Sequence, residues 1–354
     1  MRIPVKSVET IQRSRAWWAA ASLWLSLSAV ATAHAATGEE LARTHAASPG
    51  QLAPDATLDT VDGKRIELGD FYGRKPVYLK FWATWCVPCR QQMPHFEAAW
   101  QRYHERIAVV AVNLGLNDDV GDVREYLDQT KLSMPVAIDG AGDLATAFGV
   151  VVTPLHVLID ADGRIAYVGH EAGADLDRAL DALSRSKPSP QAAASGRAHL
   201  VARPRATVGS KAPAFSVQTA GREWTFTPGK MGKPTVLAFI TPWCESYLKE
   251  SRPEVSAACR KARETLTQAY AAAPARYSWI AIASRVWSTA ADLPDYQKRM
   301  QVEYPVALDA RGKIFQLFSV REAPTVVIVD TDGTIRHRFD GFSPELAAAL
   351  AADD

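Results

Sequence analysis

Two long stretches of this chain carry the same succession of apolar and polar runs. In the first, Val77–Trp82 and residues 107–113 are apolar and β-branched enough to predict buried strands. Residues 90–104 predict a helix, with Pro94 kinking it near its start. Residues 121–130 and 141–148 predict two more helices. Leu155–Ile159 and residues 165–168 predict a hairpin turning at Ala161-Asp162-Gly163, and a last helix falls at about 175–184. The second stretch follows the same order, with an apolar strand at Thr235–Ile240 and a longer helical run at about 245–272. Strands alternating with helices predict α/β domains, each a central mixed sheet flanked by helices.

The repetition extends to spacing. Ala53-Pro54 precedes Trp85-Cys86 as Ala212-Pro213 precedes Trp243-Cys244, with proline and cysteine 32 positions apart in the first copy and 31 in the second. Pro154 lies nine positions before Gly163, and Pro324 nine before Gly333. A repeated unit of this size sets the domain plan before any fold is named. The plan is a first domain at 51–184, a linker at 185–208 rich in proline, alanine and positive charge, and a second domain at 209–354. Residues 36–50 read as a tether. Residues 1–35 read as a signal peptide, with Arg2, Lys6, Arg13 and Arg15, then an apolar run from Ala16 to about Ala31, then Ala33-His34-Ala35 as a cleavage site. An uncleaved membrane anchor is the alternative, although the apolar run is short for a bilayer span. Export would place the chain in the periplasm, where disulfides persist.

Composition narrows the function. Hydrophobic residues make up 47% of the 354, enough for two cores. A net charge of +1 gives no reason to expect nucleic-acid binding. Four cysteines, Cys86, Cys89, Cys244 and Cys259, are too few to staple a chain of this size, which leaves them for chemistry.

Trp85-Cys86-Val87-Pro88-Cys89 follows a predicted strand and opens a predicted helix. Two cysteines three positions apart across one helical turn can bring their sulfurs together. Cys86 then falls at the helix N-terminus, where unpaired amides favour a thiolate, and Cys89 closes the ring to release a partner. Pro88 suits the first helical turn. A lone C-x-x-C also occurs in zinc sites, but no second pair of ligands follows to complete one. No metal or cofactor is expected. His95, His156 and Met93 read as helix or strand residues, with copper binding as the alternative.

Phe81-Trp82-Ala83-Thr84-Trp85-Cys86-Val87-Pro88-Cys89, followed by Met93-Pro94, resembles the TlpA/ResA-like branch of thioredoxin-fold proteins. The resemblance covers roughly residues 50–184. Together with the repeat it implies two tandem thioredoxin-like domains, and it implies exported thiol-disulfide oxidoreductase activity, typically in the reducing direction. It also implies a cis-proline at Pro154, after Thr153, facing the dithiol; a trans proline at a strand start is the alternative. Two positions depart from the pattern. Gln92 stands where many members have a glutamate, so that acid-base assistance is missing. Lys80 stands where thioredoxins carry an acid six positions before the first cysteine. A half-buried ammonium there would favour a thiolate; the alternative is a lysine snorkelling at the sheet edge.

In the second copy Trp243-Cys244-Glu245-Ser246-Tyr247 places a tyrosine in the resolving position. Along an unbroken helix Cys259 would lie roughly 22 Å from Cys244, beyond the roughly 7 Å that a disulfide spans. A break at Pro253 would permit pairing; otherwise Cys259 is a buried apolar filler. Thr241-x-x-Cys244 partly matches peroxiredoxins, but Leu237 stands where their proline belongs. The copy therefore reads as a degenerate thioredoxin-like domain, with Cys244, Cys259 and Pro324 as its candidate residues.

The leading expectation is a periplasmic thiol-disulfide oxidoreductase that reduces disulfides in exported proteins through Cys86 and Cys89. The resemblance implies exported proteins with cysteine pairs as partners and a membrane electron donor of the DsbD/CcdA kind. The rival readings are a disulfide oxidant or isomerase, and a thiol-based binding or metallochaperone module.

Overall fold

A computed structural model of the chain describes residues 37–189, 199–200 and 206–352. The expected signal peptide and most of the expected linker lie outside the described residues. Among the described residues no helix is long and apolar enough to cross a membrane.

The first domain runs α1 (Gly38–His45), β1 (Asp55–Asp59), β2 (Arg65–Glu67), β3 (Val77–Trp82), α2 (Val87–Gln91), α3 (Met93–Tyr103), β4 (Ala108–Asn113), α4 (Val120–Thr130), β5 (Val136–Ile138), α5 (Asp143–Ala147), β6 (Leu155–Ile159), β7 (Ile165–Gly169) and α6 (Ala174–Leu183). Its main sheet has the order β5-β4-β3-β6-β7. β3 is parallel to β4 and antiparallel to β6, so the sheet is mixed. All six residues of β3 are buried, as a central strand covered on both faces requires. The expected single helix over 90–104 is two helices that meet at Gln92. Each carries a proline in its first turn, where the missing N–H leaves no partner unsatisfied.

The second domain repeats the plan after β8 (His199–Leu200): β9 (Phe215–Thr219), β10 (Arg222–Phe226), β11 (Thr235–Ile240), α7 (Cys244–Tyr247), α8 (Pro253–Ala272), β12 (Ser278–Ser284), α9 (Asp292–Met300), β13 (Val306–Asp309), α10 (Lys313–Leu317), β14 (Thr325–Val329), β15 (Ile335–Asp340) and α11 (Glu345–Ala351). Its sheet order, β13-β12-β11-β14-β15, is that of the first domain. The β6–β7 and β14–β15 hairpins turn at Gly163 and Gly333, with φ of +78° and +86°. At Gly333 a Cβ would also lie 2.5 Å from Pro228.

Three expectations need correction. The 36–50 segment is not a bare tether: it carries α1, which buries Ala42, and Glu39 accepts the His170 amide at 2.7 Å. The linker region contains β8, paired in parallel with β1. The 245–272 run is not one helix. It breaks at 248–252, because Pro253 pushes Arg252 out of helical geometry (φ −145°, ψ 68°).

The two domains share apolar packing. Cys244, Leu248, Cys259, Val286 and Ala323 of the second belong to the same buried cluster as the β3 core of the first. The contact falls on the dithiol side of the first domain.

Candidate active site

Cys86 and Cys89 are joined as a disulfide with Cα atoms 5.2 Å apart. Cys86 is the N-cap of α2, and its sulfur accepts the Cys89 amide at 3.2 Å. The same N–H would stabilise a thiolate on Cys86 after reduction. Pro88 lies in the first turn of α2, and Val87 is exposed beside it. Trp85 is buried, its indole donating to the Leu116 carbonyl at 2.8 Å. Opposite the disulfide the Thr153–Pro154 bond is cis, and Cys86 Sγ lies 3.5 Å from the Thr153 carbonyl oxygen. The site residues expected in the first domain thus lie together around one disulfide.

Lys80 differs from both expectations for it. It is neither half-buried nor at an edge, because β3 is the central strand and Lys80 is 0% exposed. Its Nζ donates to the Cys89 carbonyl at 3.5 Å and lies 5.4 Å from the Phe96 ring, with no carboxylate among the described residues paired to it. Burial pushes this ammonium down to about 7. From about 7 up to the ordinary lysine value of 10.5 the folded chain therefore binds fewer protons than the unfolded one. Stability rises with pH across that window, and the cost of a charged Lys80 is complete below it. Lys80→Met in the oxidised chain is expected to stabilise, by about 2–3 kcal/mol more at pH 6 than at pH 9. Denaturant unfolding of both chains at the two pH values measures this; an equal gain at both would place the lysine's charge elsewhere.

Next to Lys80, a polar chain threads the protein under the disulfide. Gln92 donates through Nε2 to the His170 carbonyl at 3.3 Å and to Glu171 at 3.4 Å, both of which are acceptors. Its Oε1 must therefore accept from His156 Nε2, at 2.8 Å. This fixes the His156 tautomer, so Nδ1 accepts from the Tyr78 hydroxyl, also at 2.8 Å. Burial, reinforced by Lys80, His95 and His170, holds His156 well below its ordinary range, in agreement with a neutral ring. A glutamate at position 92 would face the His170 carbonyl and Glu171 without a donor of its own, which accounts for the amide. His95 instead pairs with Asp177 at 2.8 Å, and Met93 is buried. Among the described residues no group of three or more His, Cys, Asp or Glu side chains is arranged to hold a metal.

The domain contact, which is nearly two-fold symmetric, uses residues that the sequence did not mark, Asn117, Arg252 and Trp287 among them. The Trp287 amide donates to Val151 O at 2.8 Å, and the Asn117 amide donates to Arg321 O at 2.7 Å. Val151 and Arg321 each stand three positions before the cis-proline of their own domain. Asn117 and Trp287 share a left-handed backbone, with φ of 55° and 54°. The Trp287 indole donates to Thr153 Oγ1 at 3.3 Å. Tyr247 reaches across so that its hydroxyl accepts the Val87 amide at 3.0 Å, and Trp243 packs on Trp85 with ring centroids 5.0 Å apart. Arg252 completes the seal, bonding Thr84 at 2.7 Å, Asp122 at 2.8 Å and the buried Asp118 at 3.0 Å. Both cysteines of the first disulfide are 0% exposed. The domain contact thus covers the side of the first domain that carries Cys86.

In the second domain Cys244 and Cys259 are also disulfide-bonded, with Cα atoms 6.3 Å apart. The break before Pro253 folds α8 back along α7 and removes the separation expected of a straight helix. The Ala323–Pro324 bond is cis.

A mixed five-stranded sheet with an N-capping C-x-x-C disulfide facing a cis-proline defines a thioredoxin-fold thiol–disulfide exchange protein, here with the fold present twice. Residues 49–168 match the AhpC/TSA family model and residues 207–352 the Redoxin family model. The thiol-disulfide oxidoreductase ResA of Bacillus thuringiensis subsp. konkukian is 38% identical over 117 residues, covering 33% of this chain and 66% of that protein. The ResA of Halalkalibacterium halodurans is 32% identical over 171 residues, covering 47% of this chain and 95% of that protein. Among solved structures, a thiol:disulfide interchange protein of the thioredoxin family from Chlorobium tepidum TLS aligns at 28% identity and a TM-score of 0.35, covering 39% of this chain and 98% of that one. The chain belongs to the ResA-like thiol-disulfide oxidoreductases.

Proposed function

We propose that this protein works outside the cytoplasm and reduces disulfides in exported proteins through Cys86 and Cys89. The observation that carries the reading is the place of Cys86: N-cap of α2, sulfur held by the Cys89 amide, and opposite the Thr153 carbonyl. In the reduced protein the Cys86 thiolate attacks one sulfur of a client disulfide. A mixed disulfide forms and the client's second sulfur leaves as a thiolate. Cys89 loses its proton and attacks Cys86 Sγ, the client's first sulfur leaves, and both client sulfurs end as thiols. Two electrons pass to the client and the Cys86–Cys89 bond forms. The buried, uncharged Tyr78–His156–Gln92 chain fixes the floor of the site without taking up a proton.

The next cycle requires a dithiol donor. A membrane electron carrier of the DsbD/CcdA kind fits this need, since the periplasm holds no soluble thiol pool. The reducing direction and the extracytoplasmic setting rest on kinship with ResA and on the exported character of the first 35 residues. The test is equilibration of the Cys86–Cys89 pair against thiol–disulfide buffers. A potential well below the roughly −120 mV of a strong oxidant such as DsbA supports a reductant; a value near it would make the protein an oxidant.

A further inference from the structure

We infer that Cys244 and Cys259 form a second redox centre, in which Cys259, fifteen positions beyond the motif cysteine, is the sulfur that exchanges with an incoming small thiol. Three observations carry this. In the first domain the exchanging sulfur, Cys86 Sγ, lies 3.5 Å from the carbonyl oxygen of the residue before the cis-proline. In the second domain the sulfur at 3.5 Å from the corresponding carbonyl, that of Ala323 before Pro324, belongs to Cys259. Cys244 Sγ lies instead 3.8 Å from the Val255 carbonyl oxygen. The break before Pro253 has thus moved the reactive position from the start of α7 to the first turns of α8.

Accessibility gives the same order. Cys259 is 9% exposed, whereas Cys244 is 1% and the first-domain cysteines are 0%. Ala323, whose carbonyl oxygen lies 3.5 Å from Cys259 Sγ, and Pro324 line a cavity of about 680 Å³, and Cys259 itself lines a second cavity of about 20 Å³ that Pro324 also borders. An extended protein strand cannot pair with the backbone beside Pro324, because Asn117 already holds the Arg321 carbonyl and the Ala323 amide, each at 2.7 Å. A small molecule in the larger cavity reaches Pro324, the residue the two cavities share, without meeting that obstacle. Six carboxylates line the cavity against Arg252 and Arg321, and Arg252 is engaged by Asp118 and Asp122. The walls therefore favour a neutral or cationic thiol over an anionic one.

The exchange balances as follows. A thiolate of the donor attacks Cys259 Sγ. The Cys244–Cys259 bond breaks, and Cys244 leaves as a thiolate that takes up a proton. A second donor thiolate attacks the donor sulfur of the mixed disulfide and releases Cys259. The donor departs as its disulfide, and two electrons have entered the second domain.

The test uses the full chain with Cys86→Ser and Cys89→Ser, so its outcome does not depend on the first centre. In the absence of denaturant, dithiothreitol is expected to open the remaining disulfide and its oxidised form to reclose it, each cycle gaining and losing two alkylatable thiols by mass. Cysteamine should react at least tenfold faster than 3-mercaptopropionate, with the ratio collapsing at high salt. With Cys244→Ser added, the Cys259 thiolate should attack cystamine, the disulfide of cysteamine, keep one half as a mixed disulfide and release the other as cysteamine; with Cys259→Ser added instead, Cys244 should capture none. Circular dichroism of each variant confirms that it is folded. A disulfide that opens only when the chain is unfolded would make the pair structural and overturn the inference. Capture at Cys244 in preference to Cys259 would overturn it equally.

Discussion

Replacing Cys86 with serine is expected to abolish reduction of client disulfides by the first domain, a fall on the order of 10⁴-fold or more, the scale met when a covalent nucleophile is removed. The measurement is made with Cys259 also replaced by serine, so that only the first centre reports. A serine hydroxyl keeps its proton at neutral pH and does not attack sulfur. The neighbouring Cys89 cannot substitute. It is enclosed in the first turn of α2, and the sulfur that lies against the Thr153 carbonyl is that of Cys86. Cys89→Ser has a different expected result. Cys86 still attacks, nothing resolves the intermediate, and clients accumulate as mixed disulfides that gel electrophoresis without reductant will show. Mixed disulfides on Cys89 in the Cys86→Ser chain would reverse the two roles.

Trp287→Ala is expected to speed reduction of the Cys86–Cys89 disulfide by a protein-sized dithiol by about 30-fold. The ring contributes the hydrogen bond to Thr153 and an edge contact with His170 at 5.5 Å. A well-packed interface tryptophan is worth about 2 kcal/mol or more, and 1.4 kcal/mol is a factor of about ten in the population of parted domains. The substitution also replaces a bulky residue held at φ 54°, a backbone region that such residues rarely adopt, so the second domain itself should not lose stability in proportion. Arg252→Ala, which removes the contacts to Thr84, Asp118 and Asp122, provides an independent opening and should act in the same direction. If neither change alters the rate, clients reach Cys86 without parting the domains. Stopped-flow tryptophan fluorescence on reduction, with Cys259→Ser present in all chains, measures the effect.

Much of this protein is legible in the order of its residues because the relevant forces are local. The apolar runs at β3 and β11 are long and uninterrupted, and a buried central strand has few alternatives for such a pattern. The spacing of Cys86 and Cys89 fits one helical turn, and Pro88 sets where that turn begins. The repeated proline, cysteine and glycine positions identified two copies of one fold. What the sequence could not determine depended on neighbours distant along the chain. Lys80 reads as an exposed or half-exposed cation until the sheet order makes β3 central and leaves its ammonium no route to water. Gln92 reads as a lost acid until His170 and Glu171 are seen to require a donor beside it. Cys259 reads as filler until Pro253 ends one helix and starts another, which brings two sulfurs together from fifteen positions apart. Asn117, Arg252 and Trp287 carry no local signature, and Tyr247 reads only as a lost resolving cysteine, because each acts on the other domain. Pairing of backbone groups across a domain contact depends on position in space, which only the packed chain supplies.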